Sequence, residues 1–244
     1  MALTTTSANN GLTILALDSS SMTGSVALWR DGVLLAESLL NLRTTHSERL
    51  LVQVEQLLAA TGLALVDLDL LGVVHGPGSF TGLRVGLATA KGLATAADLP
   101  VVGLSTLEVL AMNLPFAPYP VCAFLDARKQ EVYSCLYDCS SGFPVAVGTE
   151  TVQPPRQLLN NLADEVVLVG DGVPLYHGLI DEILAGRAKL PPAVAHQPRA
   201  AAAAVLAAVK FDTGLALPVS KLKPCYIRPS DADLPKSRGG SAVV

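Results

Sequence analysis

The side chains best suited to metal or nucleophilic chemistry do not stand at the spacings that such chemistry uses. The four histidines are His46, His75, His177 and His196, and none pairs as H-x-x-x-H, which brings two imidazoles to one metal ion. The four cysteines contain no C-x-x-C pair. We therefore predict no metal centre and no bound cofactor. His46 is expected on a surface or an interface, and His75 in a structural role.

A glycine-rich loop before a helix is the next candidate for chemistry, since such loops often bind phosphate. Its glycines are Gly76, Gly78 and Gly82. Leu83 and Arg84 follow the last glycine, where a Walker loop requires Lys and then Ser or Thr. The loop is also one residue too long for a dinucleotide fingerprint. The pattern therefore predicts a strand-to-helix turn whose glycines supply positive φ angles.

The helix that follows this loop carries small residues at intervals of four. Gly82, Gly86, Ala90 and Ala94 share one face, because positions four apart are neighbours on the surface of an α-helix. A face with so few side chains lets another helix approach the backbone closely. We therefore predict that this stripe is an exposed docking surface. Gly86→Leu should then abolish docking and leave the isolated fold little changed.

The composition favours a folded protein without a general affinity for nucleic acid. Half of the 244 residues are hydrophobic and 16% are charged, and the net charge is −4. Residues 220–244 carry five basic and two acidic side chains, which could contact RNA or an acidic partner or simply be solvated. Prolines interrupt the apolar run 109–125, and no signal peptide is evident. We expect a cytoplasmic protein that does not bind a membrane.

The predicted elements follow the same order in the two halves of the chain. In the first half the order is three strands, a helix with a capping box, a strand, the small-faced helix and a strand, at 13–18, 25–30, 33–40, 45–62, 70–75, 82–97 and 100–104. In the second half three strands, a helix, a strand and a helix are predicted at 121–126, 130–137, 145–152, 154–163, 166–170 and 173–184. A further helix at 199–211 is expected to pack against a lobe.

This repetition predicts an α/β protein of two ribonuclease-H-like lobes, the architecture of actin-like ATPases and sugar kinases. The predicted boundaries are an N-terminal lobe at 1–108, which carries the docking helices, a C-terminal lobe at 109–230 and a flexible tail at 231–244. Asp18 and Asp126 then end the first strands of the two lobes.

In that architecture, the aspartate at the end of the first strand can face the phosphates and Mg²⁺ of a nucleotide. Asp18 is followed by small hydroxyl donors at Ser19, Ser20 and Thr23. The other walls of such a cleft would be formed by Asp126, Gly170 and Gly172. Asp and Ser at the end of a strand are also ordinary turn formers, so a structural role for these residues is the alternative.

Six segments together resemble the TsaB family, also called YeaZ. They are ILALDSSSMTGSVAL, THSERLL, GPGSFTGLRVGLATAKGLA, LDARKQEVY, GDG and KPCYIRP, and they extend from Ile14 to Pro229. The resemblance implies a two-lobed actin-like fold and an accessory role in making threonylcarbamoyladenosine beside the anticodon of tRNA. It also implies two partners, the catalytic paralogue TsaD and the ATPase TsaE, with tRNA bound mainly through the complex.

The family pairs with TsaD through the first two helices of the N-terminal lobe. The resemblance therefore implies a partner-binding set made of His46, Glu48, Leu50, Leu51, Val54, Gly82, Leu83, Val85, Gly86, Thr89 and Ala90. Without its partner, the chain is expected to cover this apolar helix pair by forming a homodimer.

Two functions of different classes follow from the sequence. One is a non-catalytic subunit that binds and activates a tRNA-modifying enzyme by helix docking. The other is an ATP-binding enzyme of the actin-like group, with a cleft centred on Asp18. A calorimetric titration with ATP and Mg²⁺ separates the two.

Overall fold

The structure, a computed structural model, describes residues 11–41, 46–162 and 164–228. The predicted tail at 231–244 and residue 45 of the predicted capping box lie outside the described residues. Two mixed β-sheets organise the described chain, and each is the centre of one lobe.

The first sheet contains β1 (Thr13–Asp18), β2 (Thr23–Arg30), β3 (Val33–Asn41), β4 (Leu70–Gly76) and β5 (Val101–Ser105). Its strand order is β3-β2-β1-β4-β5. The first three strands are antiparallel neighbours, while β4 and β5 add in parallel. The predicted turn between β2 and β3 is present, with positive φ angles at Asp31 and Gly32. Every residue of β1 is buried, because helices cover both faces of this sheet.

The helices of the first lobe are α1 (His46–Thr61), α2 (Phe80–Ala97) and the short α3 (Thr106–Ala111), with a 3₁₀ turn at Leu65–Asp67. α1 and α2 pack side by side on one face of the sheet, through buried residues such as Leu50, Val54 and Leu87. α3 lies between the lobes. Its Val109 packs in the core of the first sheet, and its Leu107 and Leu110 pack in the core of the second.

The second sheet contains β6 (Val121–Asp126), β7 (Val132–Asp138), β8 (Val145–Ala146), β9 (Thr151–Gln153), β10 (Val166–Val169) and β11 (Ala188–Lys189). Its order is β11-β10-β6-β7-β8, and β9 also pairs with β7. Read from β8, this is the order and direction of the first sheet, so the predicted duplication is confirmed. The strand predicted at 145–152 is two short strands instead, separated around Gly148.

The remaining helices are α4 (Pro155–Asn160), α5 (Gly172–Leu175), α6 (His177–Leu184) and α7 (Ala200–Asp212), with 3₁₀ turns at Ala193–His196 and Val219–Lys221. The first three cover one face of the second sheet. The single helix predicted at 173–184 is broken at Tyr176, whose backbone leaves the helical region at φ −110° and ψ 22°.

α7 packs on the first sheet, although the predicted boundary assigned residues 109–230 to the second lobe. Its alanines lie against Ile14, Ala16 and Trp29. The helix comes so close that a Cβ at Gly72 of β4 would lie 2.9 Å from Ala207 Cβ. The predicted boundary is therefore wrong for this helix, because its nearly continuous apolar surface completes the core of the first lobe.

Residues 222–228, which we call the strap, cross from the first lobe to the second. The Cys225 amide donates to the carbonyl of His75 at 2.8 Å, and His75 Nδ1 donates to the carbonyl of Lys223 at 2.8 Å. Farther along, Arg228 donates to the carbonyl of Ala127 at 2.9 Å. His75 thus has the predicted structural role, because it anchors the strap. In the part of the chain that is described, no helix is long and apolar enough to cross a membrane.

Candidate functional site

The glycine-rich loop is a tight turn that the rest of the chain crowds. β4 ends at Gly76, which has a φ of 129°, and Ser79 caps α2 by accepting a hydrogen bond from the Gly82 amide at 3.3 Å. A Cβ at Gly76 would lie 2.4 Å from the Cys225 carbonyl oxygen, and one at Gly78 would lie 2.1 Å from the Ser20 carbonyl oxygen. The loop is therefore structural, as predicted. Close approach of backbone is a second reason for its glycines.

The inner stripe of α2, formed by Gly82, Gly86, Ala90 and Ala94, faces the chain's own lobe. A Cβ at Gly82 would lie 2.1 Å from the Ser19 carbonyl oxygen, and one at Gly86 would lie 2.4 Å from Ser19 Oγ. Ser19 Oγ also donates to the Gly82 carbonyl at 2.8 Å. The prediction that this stripe is an exposed docking surface is therefore wrong, because the turn after β1 already occupies it.

The predicted partner-binding set divides into buried and accessible members. The buried members, which cannot contact a partner directly, are Leu50, Val54, Gly82, Leu83, Gly86 and Ala90. Leu51 is exposed, and Val85 and Thr89 are half-buried. His46 and Glu48 fall in the first turn of α1, but their side chains lie outside the described part of the chain.

The outer face of the helix pair, which we define as Leu51, Val52, Ala88, Gly92 and Ala96, is open. Leu51 and Val52 of α1 are 44% and 45% exposed. The α2 members are again small residues four apart, displaced by two positions from Gly86 and Ala90. A Cβ at Gly92 would meet no atom within 4 Å. The same spacing that predicted an inner stripe thus also describes an outer one.

Asp18 lies beneath the first lobe's surface and does not line the cleft between the lobes. Its Oδ1 accepts the Ser20 amide at 2.9 Å, and its Oδ2 has no hydrogen-bond partner among the described residues. Complete burial raises the pKa of this carboxyl to about 7. Ser19 is held by Gly82, and Thr23 Oγ1 donates to Gln197 Oε1 at 2.7 Å. The prediction of a nucleotide cleft centred on Asp18 is therefore wrong in its geometry.

Gly170 and Gly172 also have a packing role. A Cβ at Gly170 would lie 2.4 Å from the carbonyl oxygen of Phe124, and one at Gly172 would lie 2.7 Å from a ring carbon of that residue. The residue between them, Asp171, is the one that reaches the cleft. Sequence reasoning missed it, although it stands two positions beyond the end of β10, a strand that pairs with β6, which ends at Asp126.

Asp126 and Asp171 meet at the floor of the cleft. The Asp126 amide donates to Asp171 Oδ1 at 2.8 Å, and burial raises the pKa of the Asp171 carboxyl. Asp126 Oδ1 accepts the Arg128 amide at 2.9 Å, while Oδ2 pairs with the Arg128 guanidinium at 3.2 Å. Asp126 therefore lines the cavity, where its neighbours are a second carboxylate and a cation.

A cavity of about 440 Å³ lies between the lobes at this point. Its lining combines hydroxyl, carboxylate, cationic and aromatic side chains, chiefly those of Ser20, Ser21, Phe80, Asp126, Arg128, Lys129, Tyr133, Asp171, Tyr226 and Arg228. Of the nucleotide set that the sequence predicted, only Ser20 and Asp126 line it. Within the described ranges, no group of three His, Cys, Asp or Glu side chains could hold a metal ion.

Comparison with known proteins gives one consistent result. Residues 35–232 match the family model described as TsaD: tRNA N6-adenosine threonylcarbamoyltransferase. The tRNA threonylcarbamoyladenosine biosynthesis protein TsaB of Bacillus subtilis is 33% identical, over 91% of this chain and 96% of that protein. The TsaB protein of Escherichia coli is 35% identical, over 88% of this chain and 94% of that protein.

The fold agrees with these matches. The crystal structure of YeaZ from Pseudomonas aeruginosa superimposes with a TM-score of 0.75 and 30% sequence identity, covering 88% of this chain and 99% of that one. Similarity of this kind extends over both lobes, and it agrees with the duplicated strand order. The chain therefore belongs to the TsaB (YeaZ) family.

Proposed function

We propose that the chain serves tRNA threonylcarbamoyladenosine biosynthesis as a non-catalytic subunit that binds TsaD and raises its activity. Its relatives in Bacillus subtilis and Escherichia coli are named as biosynthesis proteins for this modification, and the matching family model is named for the transferase. The observation that carries the proposal is the open outer face of α1 and α2.

The outer face offers what a partner helix needs. Leu51 and Val52 keep nearly half of their surface in water, and burying it would contribute about 1 kcal/mol for each side chain. On the neighbouring helix, Ala88, Gly92 and Ala96 are exposed and leave the backbone of α2 nearly bare. A partner helix could therefore approach closely and cover both apolar side chains, in the manner of a small-residue helix contact.

The interior of the first lobe favours a non-catalytic role. The residues that would have to hold nucleotide phosphates are engaged in the fold, since Ser19 bonds to Gly82 and Thr23 bonds to Gln197. Asp18 is buried and does not line the cavity. A magnesium-bound phosphate needs an accessible carboxylate, and Asp18 is not one.

Gly92→Leu tests the proposal. The leucine has open space in the isolated chain, so we expect an unchanged fold, but it would stand where the partner helix must approach. Calorimetry against purified TsaD should show affinity at least tenfold weaker, and a reconstituted modification reaction should lose the stimulation. Gly178→Leu is the matched control, because Gly178 is an exposed glycine in α6 of the other lobe, also with no atom within 4 Å of its Cβ. Wild-type affinity of Gly92→Leu for TsaD would contradict the proposal.

Two further associations belong to the same proposal. We expect TsaE to join the pair that this chain forms with TsaD, and tRNA to be engaged mainly through that complex. In the absence of TsaD, a second copy of the chain would cover the outer face. Size-exclusion chromatography should then show a dimer that TsaD displaces, and Gly92→Leu should elute as a monomer.

The alternative function, an ATP-binding enzyme of the actin-like group, has one observation in its favour, which is the cavity between the lobes. Its predicted centre, Asp18, does not line that cavity. Titration of the purified chain with ATP and Mg²⁺ decides the matter: submillimolar binding that Asp18→Ala removes would favour the enzyme.

A further inference from the structure

We infer that the mouth of the interlobe cavity binds unpaired nucleotides of an RNA strand, with a base on Tyr226 and the adjoining phosphate at Arg128 and Lys129. The inference rests on the proposed function for the identity of the RNA, which would be tRNA. It places a nucleic-acid contact in the cleft, where the strap brings Tyr226 and Arg228 of the basic terminal segment.

Two aromatic side chains that line the cavity, Phe80 and Tyr226, belong to a stack with Arg84. The rings of Phe80 and Tyr226 lie parallel within 30°, with centroids 5.2 Å apart. The Arg84 guanidinium lies 3.7 Å from the centroid of the Phe80 ring. Phe80 therefore has two partners, whereas Tyr226 has one ring contact among the described residues, lines the cavity and is 40% exposed. An unpaired base can extend this stack, since stacking on aromatic rings is the main way in which proteins hold single-stranded RNA.

The strap holds Tyr226 in place before any ligand arrives. On one side, the Cys225 amide is bonded to His75 of the first lobe. On the other side, Arg228 bonds to the carbonyl of Ala127 and pairs with Glu131 of the second lobe. A ring fixed between two such anchors loses little conformational freedom on binding, which favours affinity.

Another part of the lining carries cations on an unusual turn. The φ angles are positive, between 53° and 60°, at three successive residues, Arg128, Lys129 and Gln130. This conformation costs about 1 kcal/mol or more for each residue that is not glycine. Two hydrogen bonds hold the turn. The Arg128 amide donates to the carboxylate of Asp126, and the Ala127 amide donates to the carbonyl of Glu131. The turn directs Arg128 and Lys129 to the cavity. The Arg128 side chain is 75% exposed despite its pairing with Asp126, so it can reach a phosphate.

The floor of the cavity suits the edge of a base better than a free anion. Asp126 and Asp171 present carboxylates, and the Ser20 hydroxyl is buried there with no hydrogen-bond partner among the described residues. Carboxylates repel an isolated phosphate but accept hydrogen bonds from the amino groups of bases. The charged groups around the cavity are Arg84, Arg128, Lys129 and Arg228 against Asp126, Asp171 and Glu131, so both signs are present. An aromatic stack, acceptors and cations within 440 Å³ together match a nucleotide.

The experiment uses the full chain, a fluorescently labelled, unstructured oligoribonucleotide and anisotropy. We expect Tyr226→Leu to weaken binding about tenfold, because a base stack is lost. Tyr226→Phe, which keeps the ring, should stay within about twofold of wild type. Arg128→Ala should lower the slope of log affinity against log salt by about one. The matched control is Arg156→Ala, since Arg156 forms an exposed pair with Glu182 away from the cavity.

Three results would overturn the inference. The wild type could fail to bind the oligoribonucleotide at submillimolar concentration, or Tyr226→Leu could bind it as tightly as the wild type while showing the wild-type melting curve. Free AMP could also displace the labelled oligoribonucleotide as effectively as the unlabelled oligoribonucleotide does. The last would make the cavity a site for a free nucleotide. Binding of TsaD is measured on the same variants. Retained TsaD binding without RNA binding would remove this inference alone, while RNA binding without any TsaD binding would remove the proposed function alone.

Discussion

The inner and outer faces of α2 carry nearly the same residues in opposite surroundings. On the inner face, Gly86 and Ala90 are buried against the chain's own β1 turn and sheet. On the outer face, two positions along, Ala88 and Gly92 lie open. Small residues allow close approach by any neighbour, whether it is the chain's own backbone or a partner. Spacing thus identifies both stripes, and only the tertiary contacts show which one remains available for docking.

Gly86→Leu, on the inner face, should have the largest effect on stability. The inner face has no space, since even a Cβ there lies 2.4 Å from Ser19 Oγ. We expect a loss of about 3 kcal/mol or more in the free energy of unfolding, or failure to fold. A urea titration measures it. This outcome is the opposite of the one that the sequence predicted for Gly86→Leu, which was a stable chain that no longer docks.

The cause of that loss can be isolated with a smaller change. Gly86→Ala should cost about 1–3 kcal/mol in the wild-type background. With Ser19→Ala already present, the nearest atom is Ser19 Cβ at 3.7 Å, an ordinary contact, and we expect less than about 1 kcal/mol. Additive effects in this double-mutant cycle would show that Ser19 does not limit the space at Gly86.

Asp18 gives the next effect, one that depends on pH. Its pKa is about 7 in the folded chain and near 3.8 when unfolded, so the folded state favours the protonated form. This stabilising contribution is complete below pH 3.8 and is lost as the pH rises through 7. Between pH 5 and pH 8, wild type should lose roughly 2–3 kcal/mol relative to Asp18→Asn. Parallel stability curves for the two proteins would contradict the burial of an ionisable carboxyl here.

The smallest expected change in stability is that of a substitution on the outer face. Gly92→Ala should raise the free energy of unfolding by about 0.5–1 kcal/mol, because alanine favours a helix more than glycine does and nothing opposes its Cβ. Thermal melts of Gly92→Ala and Gly86→Ala should therefore move in opposite directions. A loss of stability in Gly92→Ala would mean that the outer face is not open in the isolated chain.

Local patterns predicted most of the sheet framework. β1 and β6 lie at the residues predicted for them, and the turn at Asp31-Gly32 is present, because apolar runs and turn residues act over a few positions. The predicted strand at 145–152 and helix at 173–184 each break into two pieces. Weak periodicity in a short segment leaves such breaks to the surrounding contacts.

The contents of the cleft could not be predicted because they depend on residues far apart in the sequence. Phe80 stacks on Tyr226, and the Asp126 amide reaches the carboxylate of Asp171. The sequence pointed to the strand end at Asp18, which has the right chemistry, but only the fold shows that this carboxyl is sealed from the cavity. Signals for the true lining did exist in the LDARKQEVY and GDG segments.

The position of α7 bears on how this chain matures during translation. The helix that seals one side of the first sheet comes after every strand of the second sheet in the sequence, so Ile14 and Trp29 are covered only after Ala203 and Ala207 have been synthesised. Until α7 has emerged from the ribosome, that apolar side of the sheet is exposed to solvent and to chaperones. The first lobe therefore cannot complete its core until the second sheet has been synthesised.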